Sequence, residues 1–228
     1  MELQLSYAVN DGDEAEARKI LRENSLLDIN WKNEDDDDDW TALHSACENG
    51  HGNIVSLLLA HPDIDVNQKG NTGWTPFLTA CLYGSTSCVR LLLQDGRVKV
   101  NEPNNDGYTP LWCAARYGCI DVVRWWIASG REIYLGEPRN EKNDASSIAK
   151  LVESGLDEDT KKRKDDVARL LEKFHKDHDN TRNELRQKLQ ITGMRNFFST
   201  ITHSHSPFFL RFPCHEARAF QRAVCRLP

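Results

Sequence analysis

Through the middle of the chain, apolar and polar positions recur in one order: a turn glycine, a hydroxyl, a short apolar run, a second glycine, a longer apolar run and a Val-Asn pair. Trp40-Thr41-Ala42-Leu43 returns as Trp74-Thr75-Pro76-Phe77 and Tyr108-Thr109-Pro110-Leu111, each copy 34 residues after the last. The same step links Ala46, Ala80 and Ala114, then Gly50, Gly84 and Gly118, then Leu58, Leu92 and Trp126, while Val66-Asn67 returns as Val100-Asn101. A fixed period of this size predicts stacked repeats. Gly73 and Gly107 stand where a tight turn needs positive φ. Thr75-Pro76 and Thr109-Pro110 place a hydroxyl N-cap before a proline suited to the first helical position. A short helix follows, ended by Gly50, Gly84 or Gly118. Ile54 to Leu59 and Cys88 to Leu93 then predict a second, more apolar helix. Neither helix buries its face alone, but stacked copies bury a continuous core.

These residues resemble the ankyrin-repeat family. Its T-P-L-H-x-A motif is nearly met by Thr41-Ala42-Leu43-His44-Ser45-Ala46, whereas the later copies keep Thr-Pro and put Leu78 and Trp112 in place of the histidine. The resemblance implies an all-α solenoid of helix-turn-helix units with β-hairpin-like finger loops. It spans residues 1–174, with repeats near 1–34, 35–70, 71–104 and 105–138 and a degenerate one over 139–174. Leu5-Ser6-Tyr7-Ala8 and Ala17 to Leu21 read as an N-terminal cap repeat, polar on its outer side. From Asn30 to Thr41 there are 11 steps, against 8 from Asn67 to Thr75, so the first finger carries three extra residues within Glu34 to Asp39. The charged run from Glu158 to Asp166 reads as an extra helical turn or a mobile connection before a helix around Val167 to Leu171. Residues 175–193 read as a helical extension. Residues 194–228 hold six of the eight Phe and have no link to the repeat, which leaves three readings: a partner-binding tail, a disordered extension, or sequence outside any folded unit.

Charge sharpens this division. The net charge of -6 resolves into 13 acidic and 4 basic residues over 1–39, and five Arg with one Glu over 194–228. Nucleic acid is disfavoured as a partner, because only the tail supplies basic groups. The first residues lack a basic segment followed by an apolar core, no Asn-x-Ser/Thr sequon occurs, and the 7 Cys include no C-x-x-C. These features predict free thiols and an intracellular, cytoplasmic setting, with the nucleus left open. Apolar runs are too short for a transmembrane segment. No nucleophile elbow, phosphate loop, dinucleotide fingerprint or zinc-protease motif is present, so no enzyme, small-molecule substrate or cofactor is expected. Cys47 and Cys81 read as buried fillers. The acidic run lacks the spaced ligands and glycine of a calcium loop, and no metal site is expected.

The family framework implies a concave recognition surface built from finger tips and inner-helix ends. Its positions here are Asp37, Asp38, Trp40, Glu48 and Asn49, then Asn71, Thr72, Trp74, Leu82 and Tyr83, then Asn105, Asp106, Tyr108, Arg116 and Tyr117. Trp, Tyr and Arg dominate interface hot spots, so Trp40, Trp74, Tyr108, Tyr83 and Tyr117 are the expected anchors. The competing reading lays the first three rings along neighbouring fingers, where they serve stacking between repeats. The expectation is a monomeric adaptor or scaffold that captures a protein partner, with a basic partner segment facing Glu34 to Asp39. Two alternatives stand: a spacer whose activity lies in the tail, contacting membrane or nucleic acid, or a fragment of a larger ankyrin protein. The resemblance also implies asparaginyl hydroxylation at Asn67 and Asn101, each eight residues after a leucine (Leu59 and Leu93), although the same asparagines have a structural use in bonding the finger backbone.

Overall fold

The computed structural model describes residues 1–33, 38–135, 144–150 and 156–191. Eleven helices occur among them, and no strand. They pair as α1 (Glu2–Asp11) with α2 (Glu14–Glu23), α3 (Ala42–Glu48) with α4 (Gly52–Leu59), α5 (Pro76–Leu82) with α6 (Thr86–Gln94), and α7 (Pro110–Arg116) with α8 (Ile120–Ser129). Then come α9 (Ala145–Lys150), α10 (Glu158–Lys176) and α11 (His178–Lys188). The short inner helices α1, α3, α5, α7 and α9 pack one on the next, and α2, α4, α6 and α8 form the outer row.

The helix starts follow from their caps. Thr75 Oγ1 accepts the Leu78 amide at 3.2 Å and Thr109 Oγ1 accepts the Trp112 amide at 3.3 Å, with Pro76 and Pro110 in the first turn. Side chains that repeat in phase fill the core: Leu43, Phe77 and Leu111, and Leu58, Leu92 and Trp126, are all fully buried. The small residues Ala46, Ala80 and Ala114, also buried, let neighbouring inner helices approach. Cys47, Cys81 and Cys113 are buried, and desolvation pushes their thiols up, so they stay neutral and unreactive as fillers.

A backbone bond across its base closes each finger. Gly70 donates to Trp74 at 3.0 Å and Asn104 to Tyr108 at 3.1 Å, four residues apart, whereas Asn33 donates to Trp40 at 3.0 Å across seven. The three additional residues therefore lie between Asn33 and Trp40, where the longer spacing puts them. Adjacent fingers are tied as well: Asn71 donates to the Asp38 carbonyl and Asn105 to the Thr72 carbonyl, both at 3.0 Å. This close approach explains Gly70, where a Cβ would sit 2.5 Å from the Asp38 carbonyl oxygen and 3.0 Å from Trp40 Cδ1. Gly70→Ala is expected to lower stability by about 1–3 kcal/mol through overpacking, read as a lower urea midpoint. An unchanged midpoint would show that the fingers yield freely.

A second row of ties was not read from the sequence. Arg97 and Arg131, 34 residues apart, each reach back to the preceding outer helix, whose last carbonyls lack intrahelical partners. Arg97, held by Asp95, donates to the Leu59 carbonyl at 3.0 Å, and Arg131 donates to the Asp95 carbonyl at 3.0 Å. For α8 the same service comes from α11, with Arg182 on the Ile127 carbonyl at 3.3 Å and Arg186 on the Ala128 carbonyl at 2.9 Å.

Two expectations change. The charged run from Glu158 to Asp166 is helical, as one of its two readings has it, but it is more than an added turn: it forms the first half of the continuous helix α10. Asp157 caps it through the Thr160 amide at 2.8 Å, ion pairs line it, and Lys164 is buried against the Gly118 turn. The first helix pair is also not wholly polar on its outer side, since Met1, Tyr7 and Leu26 are exposed there.

Candidate binding surface

Two rows of side chains sit on this braced backbone, one after the turn glycines and one at the ends of the inner helices. The structure separates them. Trp40 and Trp74 are buried at 4% and 0% exposure, and Tyr108 is close to buried at 9%. The Trp40 and Tyr108 rings turn back onto the residue four positions on, in the first turn of the inner helix. Trp40 stacks on His44 with centroids 5.8 Å apart, and Tyr108 lies 4.6 Å from Trp112. Trp40 also rests against Gly70 of the next finger. The three rings are therefore buried packing and not exposed anchors. Leu82 is withdrawn from the surface in the same way, buried at the end of α5.

The second row remains accessible. Tyr83 caps α5, Arg116 ends α7 and Tyr117 caps it, and all three are half-buried. The Arg116 guanidinium lies 5.6 Å from the Trp112 ring centroid, which extends the Tyr108–Trp112 pair into a column ending in a cation. At the fingers, Asn71 and Asn105 are exposed, and the Asn105 amide donates to the Asn71 carbonyl at 3.1 Å. Asp106 and Asp38 are half-buried, and Asp106 accepts from the Asn104 amide at 3.2 Å. Asp37 lies outside the described residues.

Beneath the surface, His44 joins two repeats. Its Nδ1 meets the Thr41 amide at 3.2 Å and the Thr41 hydroxyl at 2.9 Å, and its Nε2 lies 3.0 Å from the Trp74 carbonyl. A carbonyl only accepts, so Nε2 carries the proton and Nδ1 accepts. On the finger side, Asn30, Asn67 and Asn101 form a ladder. The Asn67 amide donates to the Arg97 carbonyl at 2.9 Å while its oxygen accepts from Lys99 at 2.8 Å. Asn30 bridges Asp63 and Asp65, and Asn101 bridges Glu132 and Tyr134, in the same manner. The amide groups of Asn67 and Asn101 thus hold the next repeat in register.

A family model described as ankyrin repeats, in three copies, matches residues 4–70 and 61–135, more than half of the chain. The chain belongs to the ankyrin-repeat family. No curated protein matches it. Ankyrin repeats are generally protein–protein interaction modules, and the helix pairs, fingers and buried Thr41–His44 pair described above are the family's framework as this chain builds it. Among the described residues no group of three or more His, Cys, Asp or Glu is placed to hold a metal ion, and no helix is long and apolar enough to cross a membrane.

Proposed function

We propose that this ankyrin stack is an adaptor that binds a partner protein non-covalently across the inner-helix ends and finger tips of its second to fourth repeats. One observation carries the reading: Tyr83 and Tyr117 stay half-exposed in equivalent positions of neighbouring repeats, with half-exposed Arg116 beside Tyr117, while the helices under them are buried. Side chains fixed on so rigid a base lose little conformational freedom on binding. Asn71, Asn105, Asp106 and Asp38 supply the polar rim, and the acidic first finger favours a partner with a basic segment. The protein acts as a monomer inside the cell; four buried free cysteines, Cys47, Cys81, Cys88 and Cys113, with Cys119 also free, support a reducing setting. Hydroxylation of Asn67 and Asn101 rests on family resemblance alone, and its readout is one added oxygen in the mass of the peptides containing them.

The test compares the full chain with the Tyr83→Ala/Arg116→Ala/Tyr117→Ala variant and with Arg90→Ala on the outer row, after checking that all three melt alike. Partners captured by the wild type are expected to fall roughly tenfold or more with the triple variant and to persist with Arg90→Ala. Equal capture by all three would overturn the assignment of this face.

A further inference from the structure

Four large apolar side chains are conspicuously exposed among the described residues, Met1 (57%), Tyr7 (59%), Leu26 (97%) and Tyr134 (52%), and three of them belong to the first helix pair. Their place in the repeat says which way they face. Aligning Ala8 with Ala46, Ala80 and Ala114 sets Tyr7 in the position of Ser45, Thr79 and Cys113, each of which is buried in a repeat that has a predecessor. Aligning Ile29 with Val66 and Val100 sets Leu26 in the position of Arg97, the side chain that reaches back to the preceding outer helix. Tyr7 and Leu26 therefore share the face on which a preceding repeat would stack. An apolar leucine there calls for an apolar occupant, not for helix-end carbonyls. Glu2 joins the two parts of the face, since its carboxylate accepts the Asp28 amide at 3.4 Å. Around it the chain is acidic on balance, with seven acidic against three basic side chains over residues 1–28: Arg18 and Lys19 pair with Glu14 and Glu16, the N-terminal ammonium pairs with Glu2, and Arg22 is the one other cation beside Asp11, Asp13, Glu23 and Asp28.

We propose that this face is covered by the chain's own C-terminal segment, centred on Phe208-Phe209-Leu210-Arg211-Phe212. The complement is chemical. Residues 194–228 bring six Phe for the apolar patch and five Arg against one Glu for its acidic surround. Reach is sufficient. From Ile191, the last described residue, to Phe208 is 17 residues, roughly 60 Å when extended. Four inter-repeat steps at helix-packing distance span roughly 40 Å. A second copy's N-terminal face is the less favoured occupant, because it would bring two acidic surfaces together.

Hydrogen exchange on the full chain tests the proposal. Amides of residues 208–212 are expected to exchange about tenfold more slowly than unprotected ones, at a level that does not change on dilution. Leu26→Asp, a change at a side chain already in solvent, and Tyr7→Asp are each expected to release that protection while leaving α3 to α8 protected. Arg211→Glu is expected to release it too. Unprotected amides over 208–212 in the wild type would overturn the proposal. Protection that survives both N-terminal changes would place the segment elsewhere and overturn it as well. So would a dimer by mass that persists when residues 194–228 are removed, since a second copy would then be the occupant.

Discussion

Replacing Trp74 by Ala is expected to destabilise the protein by about 3–5 kcal/mol, the range for truncating a fully buried tryptophan. The ring is wholly inaccessible, and its Nε1 has no hydrogen-bond partner among the described residues, so the loss is one of packing and cavity formation. The site is also central. The Trp74 backbone carbonyl accepts from both Gly70 and His44, so collapse around the missing ring disturbs the finger of its own repeat and the tie to the previous one. In a quasi-linear stack each repeat depends on its neighbours, and a weak third repeat uncouples the second from the fourth. Urea unfolding followed by helical circular dichroism is the measurement, and a midpoint within error of the wild type would refute the burial argument. This outcome also governs how binding data are read. Changing Trp74 and Tyr108 together probes the fold, whereas changing Tyr83 and Tyr117 probes the surface, and only the second pair bears on partner capture.

The repeat itself was legible because its signals are local. A hydroxyl, a proline and two glycines at fixed offsets specify where each inner helix starts and stops, and the period carries them from copy to copy. The aromatic row was legible as a row but not in its direction. A ring that follows the turn has the same sequence signature whether it points to solvent or folds back. His44 offers Trp40 a flat partner and Trp112 does the same for Tyr108. The arginine ties were present at the same 34-residue step and went unread, because Asp63 breaks the phase in the second repeat and α11 supplies the last pair from outside the period. Helix α10 was hidden for another reason. Its first half has few apolar positions and is held by the Asp157 cap, by ion pairs such as Lys161 with Glu158, and by burial of Lys164. Apolar periodicity reports none of these.

His44 gives the stack a sensitivity to acid. Burial holds its pKa down at about 4, against about 6.5 for a free imidazole. The geometry agrees: Nδ1 already receives the Thr41 amide, so a proton there would set two donors against each other. Above pH 7 the imidazole is neutral whether the chain is folded or not, and the full stability is present. As pH falls below about 6.5 the unfolded chain takes up a proton that the folded chain refuses, and stability drops by up to about 1.4 kcal/mol per pH unit. The loss levels off near pH 4, when the folded form also protonates, after a total of about 3 kcal/mol. Carboxylates titrate in the lower part of this window, so the decisive quantity is a difference between proteins. His44→Leu copies the residue at the same position of the next repeat, Leu78. It is expected to carry a constant penalty of about 1–3 kcal/mol for the one buried backbone group it leaves unpaired, the Thr41 amide, since the Trp74 carbonyl keeps its bond from Gly70, and to lack the slope between pH 6.5 and 4.5. Wild type and variant should therefore differ most at neutral pH and converge on acidification. Parallel urea midpoints across that range would mean that His44 is not the neutral, buried link between the second and third repeats.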